Sequence, residues 1–316
     1  MNPQRTLAGG SRSAFGGLFV RLCKGAGRPR PASRRILSAL SIAAFGLVGC
    51  GPAASVQRVG STEVVVGSTP DPGSRLLADL YVGALRGSGF AARPAAVADP
   101  WPELDSGAVT VVPGWTGELL SRFDPRATAL SAAEVYRAMV AALPEGIMAG
   151  DYSTAAQDSQ APAVARETAA VWGGTALREL VGHCREIRSG AVAGSRPPVS
   201  VGGCRLARPQ EFASAPELFD AVRAGTLTVA WTTTAAIDVP PDVVLLADAT
   251  PALIRAQNLV PLYRRNGLSE RQLLAVNEIA GVLDTAGLVD MRTKVAAGAD
   301  PDTVAAAWLG DHPLGR

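Results

Sequence analysis

Residues 64–90 read VVVGSTPDPGSRLLADLYVGALRGSGF, and this stretch decides the fold. Val64 to Val66 are three consecutive β-branched residues, which predict a short buried strand. The loop that follows, residues 67–74, contains two prolines and two glycines, a composition that continues neither a strand nor a helix. From Arg75 onward, apolar residues recur at steps of three and four, which predicts a helix closed by Gly87 and Gly89. A strand, a loop and a helix in this order predict the opening unit of an open α/β sheet.

The loop of this unit is suited to an anionic or polar ligand group. Ligands of open α/β sheets bind at the carboxyl ends of the strands, against connections of this kind. Ser68 and Thr69 provide hydroxyl groups there, beside free backbone N–H groups and a helix N-terminus. Because every α/β protein needs such a connection, the loop by itself also fits a purely structural role.

Composition and charge limit the class of protein. The chain has 316 residues, 47% of them hydrophobic and 18% charged, which is typical of an α/β protein large enough for two lobes. Residues 1–49 contain eight basic residues and no acidic one, so the remainder has 22 Lys and Arg against 28 Asp and Glu. A body with this excess of acidic residues argues against binding to the phosphate backbone of nucleic acids.

The N-terminal residues predict export. Residues 1–35 are rich in Arg, Gly, Pro and Ser, and Ile36 to Val48 form an uninterrupted apolar and small-residue run, too short for a membrane-spanning helix. The run ends in Leu47-Val48-Gly49-Cys50, which resembles the bacterial lipobox, where a peptidase cuts before the cysteine and its thiol carries diacylglycerol. We therefore expect a signal peptide over 1–49, a lipid anchor at Cys50, a linker over 50–61, and localisation on the extracytoplasmic face of the plasma membrane. The alternative is a chance cysteine at the end of a membrane segment.

The cysteine count fits an exported chain. Cys23 leaves with the signal peptide and Cys50 takes the lipid, so Cys184 and Cys204 remain. An even pair in an exported protein predicts one disulfide. A metal site is disfavoured, because the chain has only two histidines and a zinc site needs more ligands than one histidine beside Cys184.

Further motifs follow the opening unit in a fixed order. They are VTVVPGWTGELL at 109–120, TALREL at 175–180, LTVAWTTTAAI at 227–237, LLAD at 245–248 and AQNLVPL at 256–262. Over about residues 63–309, this order and spacing resemble the glycine betaine/choline-type substrate-binding proteins of ABC importers. The resemblance implies an α/β, type II periplasmic-binding-protein fold, whose two lobes are joined by two crossing segments and close on a ligand like a clamshell. Lobe one is expected to comprise residues 62–151 and 250–316, and lobe two residues 152–249.

The resemblance also implies a ligand site. Members of this family hold quaternary ammonium groups in an aromatic cage, since such a group donates no hydrogen bond and gains about 0.5–2 kcal/mol from each ring. The matching rings here are Trp115, Tyr152 and Trp231. The matching polar residues, with the two loop hydroxyls, are Thr116, Thr232, Thr233, Gln257, Asn258, Ser68 and Thr69. The tryptophans also fit a role in the core, and the Gln-Asn pair fits a turn of the crossover.

The resemblance has two departures. In the opening loop, the aromatic residue that usually follows Gly-Ser in the family is absent, since Thr69 stands there, and the second departure is in lobe two. The segment after Ser200–Leu206 is shorter than in the family and lacks its Tyr, and the whole chain has only four Tyr and five Trp. The sequence therefore predicts the fold more firmly than it predicts the ligand.

Taken together, the sequence predicts a non-catalytic, lipid-anchored solute receptor. We expect it to capture an osmoprotectant such as glycine betaine or choline and to deliver it to an ABC permease, without a cofactor. The alternatives are an envelope lipoprotein that uses the fold as a sensor or scaffold, and a binder of another small polar solute. An enzyme is disfavoured, because the sequence contains no Gly-x-Ser-x-Gly elbow, phosphate loop or metal-ligand cluster.

Overall fold

The computed structural model describes residues 63–315. The predicted signal peptide, the lipobox with Cys50 and the linker at 50–61 lie outside the described residues.

Two five-stranded mixed sheets form the framework. The first sheet has the order β2-β1-β3-β12-β4, with β1 Val64–Ser68, β2 Ala92–Ala96, β3 Val111–Trp115, β4 Ile147–Ala149 and β12 Leu259–Arg264. The second has the order β11-β5-β10-β6-β9, with β5 Gln160–Ala165, β6 Ser189–Val192, β9 Gln210–Phe212, β10 Val229–Thr233 and β11 Val243–Leu245. A small hairpin is formed by β7 Ser200–Val201 and β8 Cys204–Arg205.

Helices cover both sheets. Those of the first half are α1 Pro72–Gly87, α2 Pro100–Ser106, α3 Thr116–Phe123, α4 Ala132–Ala142, α5 Arg166–Trp172 and α6 Leu177–Gly182. Those of the second half are α7 Ala215–Arg223, α8 Glu270–Val282, α9 Thr285–Ala296 and α10 Pro301–Asp311, and a 3₁₀ helix spans Cys184–Glu186. We call the first sheet with its helices lobe one and the second sheet with its helices lobe two. This two-sheet α/β architecture is the predicted two-lobed fold, whereas the predicted residue limits of the lobes stay predictions.

The opening unit has the predicted order, with an earlier helix start. The predicted loop ran to Ser74, but α1 begins at Pro72, because Asp71 caps the helix by accepting a 2.8 Å hydrogen bond from the Ser74 amide. Proline at the first helical position loses no hydrogen bond, since that amide has no partner within the helix. Nine of the sixteen residues of α1 are buried, because the helix packs between the first sheet and the C-terminal helices α8 and α10.

Lobe two has its own core, closed by the predicted disulfide. Cys184 and Cys204 are bonded with an Sγ–Sγ distance of 2.10 Å, which confirms the prediction. The bond attaches the 3₁₀ helix to β8, and Cys204 is buried in the same cluster as Trp172 and Trp231.

Two crossing segments connect the lobes, as the fold requires. The first follows β4 and the second precedes β12, and the residues Gln157 and Asn258 form an antiparallel bridge between them. The amide of Asp158 donates to the carbonyl of Gln257, and the amide of Gln257 donates to the Ser159 hydroxyl, both at 2.9 Å. The two segments therefore run as a bonded pair at the hinge.

Two negative findings apply to residues 63–315. No single helix there has the length and apolar composition to cross a membrane, and α8 with α9 meets that test only as a pair bent by 96°. No three His, Cys, Asp or Glu side chains in the same range are arranged to hold a metal ion.

Candidate ligand-binding site

The first sheet brings three of the predicted residues to one edge. β1 runs parallel to β3, so Ser68 and Trp115, the last residues of these strands, lie at the same edge. β12 is antiparallel to β3, with Leu259 opposite Trp115, which places Asn258 at this edge as well. The N-termini of α1 and α3 begin here, and an edge of this kind is where open α/β sheets bind ligands.

Lobe two meets this edge through the turn after β10. Thr233 ends the strand, and Ala235, only 1% exposed, packs into the core cluster of lobe one. A cavity of about 570 Å³ lies between this turn, the first turn of α1 and the C-terminal part of α9. Gly73, Thr233, Asp238 and Arg292 are among its lining residues. The volume falls in the range of pockets that hold small organic ligands.

Trp115 does not line this cavity, but Arg292, which does, lies over its ring. The residue is half-buried at the end of β3, and the guanidinium carbon of Arg292 lies 5.7 Å from the ring centroid. Arg292 Nη2 contacts Asp158 Oδ2 at 2.7 Å, and Nη1 donates to the Ala235 carbonyl at 3.2 Å. The Trp115 ring therefore already has a cation, the Arg292 guanidinium, over its face in this structure.

A second cavity, of about 410 Å³, is lined by other residues of the hinge and of both lobes. Ser131, Gln157, Thr234 and Asp248 are among its lining residues, while the ten predicted ligand residues are not.

The two loop hydroxyls are in different environments. Ser68 is 2% exposed, and its Oγ makes no hydrogen bond within the described part of the chain. Thr69 belongs to the cap of α1, since its amide donates to Ser74 Oγ at 3.1 Å and its hydroxyl donates to Asp71. Ser68 keeps its hydrogen-bonding capacity, whereas Thr69 uses its groups to fix the loop.

Three predicted polar ligands hold the hinge together. Thr116 Oγ1 accepts from the amide of Asn258 at 3.0 Å, and Gln257 Oε1 accepts from the amide of Glu118 at 2.9 Å. Thr116 and Asn258 are fully buried. Gly117 allows this close approach, because a Cβ there would lie 2.5 Å from the carbonyl oxygen of Ala256. These contacts attach the second crossing segment to the N-terminus of α3, so the structure gives these residues a positioning role.

The structure does not bring the other two predicted rings to the cavity. Trp231 is 3% exposed and packs in the core cluster of lobe two, because its register opposite Pro162 and Ala191 points it inward. Tyr152 packs against Tyr136 with 4.5 Å between ring centroids and the rings tilted by 31°, in the lobe-one cluster that contains neither Trp115 nor α1.

The remaining threonines differ in position. Thr232 is half-buried and pairs with Ala161 inside the second sheet, while Thr233 lines the cavity. Of the ten predicted residues, Thr233 therefore lines the cavity, and Trp115 is connected to it only through Arg292.

Sequence reasoning missed Arg292 and Asp158. Arg292 lies in the C-terminal helix α9, 177 positions from Trp115, and no motif connects the two. Their proximity arises from the packing of α9 against α1 and α10, so the sequence carried no usable signal for it.

A model of the OpuAC family, described as the substrate-binding domain of ABC-type glycine betaine transport systems, matches residues 62–311. The chain belongs to this family. Proteins of this family bind solutes extracytoplasmically for ABC importers and are not enzymes, in agreement with the predicted absence of catalysis.

Solved structures with the same fold have low sequence identity. Ligand-free YehZ from Escherichia coli is 18% identical, with a TM-score of 0.63 over 80% of this chain and 99% of that chain. A glycine betaine/carnitine/choline ABC transporter structure is 14% identical, with a TM-score of 0.66 over 79% of this chain and 98% of that chain. Among curated protein sequences, none matches this chain significantly. The chain is therefore a divergent member of the family.

Proposed function

We propose that this protein is the lipid-anchored receptor of an ABC importer for a small quaternary ammonium solute, such as glycine betaine or choline. The solute binds in the cleft beside Trp115 and is delivered to the membrane permease. This goes beyond the family assignment in naming the chemical class of the solute, the anchor and the delivery step.

The observation that supports the solute class is the cation over Trp115. A guanidinium already lies 5.7 Å from the ring centroid, and a trimethylammonium group uses the same attraction to the ring face. The neighbouring cavity of about 570 Å³ has room for a solute of this size.

A zwitterionic solute also needs a partner for its carboxylate. Gly73 in the first turn of α1 lines the cavity at the positive end of a sixteen-residue helix, whose Ser74 amide is already bonded to Asp71. Ser68, at the end of β1, adds a buried hydroxyl that has no hydrogen-bond partner among residues 63–315. These groups suit a carboxylate at one end of a solute whose ammonium lies on Trp115.

The anchor and the delivery step rest on two separate observations. The sequence Leu47-Val48-Gly49-Cys50 supports lipid attachment at Cys50. The cavity is lined from both lobes, and a solute that contacts both lobes favours their closed arrangement, which is the form presented to a permease.

The test is titration calorimetry of the purified full-length protein with glycine betaine, choline, carnitine, proline betaine, amino acids and small sugars. Trp115→Leu is compared with Trp101→Leu. Trp101 is a matched control, because it is also half-buried and has the guanidinium of Arg122 at 5.7 Å, but lies on α2 away from the cavity.

A quaternary amine that binds the wild type and Trp101→Leu but not Trp115→Leu supports the proposal. Binding of a solute from another class supports a role as solute receptor but contradicts a quaternary ammonium solute. No binding by any member of the panel favours the sensor or scaffold.

A further inference from the structure

Arg292 makes three contacts that meet at the hinge. From α9 in lobe one, its guanidinium lies over Trp115, pairs with Asp158 of the first crossing segment and donates to the Ala235 carbonyl. Ala235 belongs to the turn that follows β10 of lobe two. One side chain therefore connects lobe one, the hinge and lobe two.

The ion pair of Arg292 differs from the others in its burial. Its side chains are 21% and 15% exposed, and the N–O distance is 2.7 Å. In each of the other nine ion pairs formed within residues 63–315, at least one side chain is 50% or more exposed. A pair shielded in this way is weakened little by salt and holds its geometry, unlike exposed pairs.

Only one of the two carboxylate oxygens of Asp158 has a partner in this contact. Oδ2 pairs with Arg292, while Oδ1 is buried and has no hydrogen-bond partner within the described chain. If Arg292 moved away, a buried carboxylate would need another cation.

We propose that Arg292 is an internal cation that occupies the ring of Trp115 and holds the turn of lobe two against lobe one, and that a cationic solute binds by displacing it. This second step rests on the proposed function, because it takes the solute to be a cation. Two cations cannot share the ring face and the single carboxylate of Asp158 without repulsion. The displaced Arg292 leaves Asp158 without its cation beside a cavity that Asp238 also lines, so the site accepts cations and zwitterions and rejects anions.

The first part of the proposal is tested without any solute, by hydrogen exchange measured by mass spectrometry. In Arg292→Met, amides at 232–238, the end of β10 and the turn that follows it, are expected to exchange about tenfold faster, since the contact that holds the turn is gone. Arg122→Met is the matched control, because Arg122 also lies 5.7 Å from a Trp ring and pairs with an aspartate, Asp99, but within lobe one. Unchanged exchange at 232–238 in Arg292→Met overturns the proposal.

Two further variants keep this test decisive. Arg292→Met with Asp158→Asn removes the orphaned carboxylate, and faster exchange at 232–238 is still expected. Arg292→Lys keeps the charge but loses the planar fork that reaches two oxygens at once, and is the variant to measure if the others fail to fold.

The displacement step is tested by calorimetry with tetramethylammonium. Arg292→Met is expected to bind it about tenfold more tightly than the wild type, because the internal competitor is absent. The double variant with Asp158→Asn loses this gain, and Arg122→Met matches the wild type. Equal or weaker binding by Arg292→Met overturns the displacement step. If tetramethylammonium binds none of the proteins while the exchange result holds, the contact of Arg292 stands and the proposed solute class fails.

Discussion

The side-chain amide of Asn258 donates a 2.9 Å hydrogen bond to the carbonyl oxygen of Ser153, and this contact joins the two crossing segments. Ser153 in turn donates from its hydroxyl to the carbonyl of Leu283 at 2.7 Å. Asn258 is fully buried and Ser153 is 1% exposed. The hinge is therefore attached to lobe one through buried hydrogen bonds.

Asn258→Ala is expected to lower the free energy of unfolding by about 1–3 kcal/mol, because the buried carbonyl of Ser153 loses its donor. Urea denaturation followed by circular dichroism measures the change. Gln257→Ala is the neighbouring control. Gln257 Oε1 accepts a hydrogen bond from the exposed amide of Glu118, and water replaces this bond when the side chain is removed. An equal loss of stability in the two variants would contradict the buried role of Asn258.

Asp79 predicts a pH dependence of stability. Its side chain is on α1, 1% exposed, and neither oxygen has a hydrogen-bond partner in the described chain. Burial first, and then Asp302 and Asp300, raise the pKa of Asp79 to about 6, against the opposing effect of Arg75 and Arg86. The folded pKa lies above the unfolded value, so folding favours the protonated acid. For this group, stability is greatest below about pH 4 and falls as the pH rises to about 6 and beyond, by about 3 kcal/mol in all.

Asp79→Asn is therefore expected to raise the free energy of unfolding at pH 8 by about 1–3 kcal/mol and to change it little at pH 4. Urea denaturation at the two pH values measures this. Asp290→Asn on α9 is the control, because its side chain is 56% exposed and its charge is not among those that shift the pKa of Asp79. A gain of the same size at pH 4 and pH 8 would rule out titration of Asp79 as the cause.

Variants of Trp231 distinguish a role in the core of lobe two from a role in solute binding. Trp231→Ala is expected to lower the free energy of unfolding by about 3–5 kcal/mol, because the ring fills the core of lobe two. Trp231→Phe keeps most of that packing and is expected to bind solute like the wild type in calorimetry. If Trp231→Phe folds with wild-type stability but loses binding, the ring contacts the solute after all.

Local sequence patterns predicted most of the fold. Val64 to Val66 and the leucines of α1 have regular spacing, and their burial in a strand and a helix follows from that spacing alone. The start of α1 lies three residues before the predicted one, because proline also fits the first position of a helix and Asp71 caps the helix in front of Pro72. The disulfide was predictable by counting, since export left a single pair of cysteines.

The site was less predictable, because it depends on which way side chains point. Trp115 and Trp231 both occupy strands that end near the cleft, but the register of each strand turns only Trp115 toward Arg292. A family motif gives the position of a residue along the chain and not its direction. The contact between Arg292 and Asp158 spans 134 positions, and such a pair is fixed only by the packing of lobe one against the hinge.

The disulfide gives the last prediction. It closes a loop with a sequence separation of 20 residues, and in the loop-entropy model a cross-link of this length contributes about 3 kcal/mol. Cys184→Ala with Cys204→Ala is expected to lower the free energy of unfolding by about that amount. The loss should appear as faster hydrogen exchange in the hairpin β7–β8 and in α6, with lobe one unchanged, because the bond lies wholly within lobe two. Treating the wild type with a reductant should reproduce the effect. If full reduction of the wild type leaves its unfolding midpoint unchanged, packing alone holds this part of lobe two.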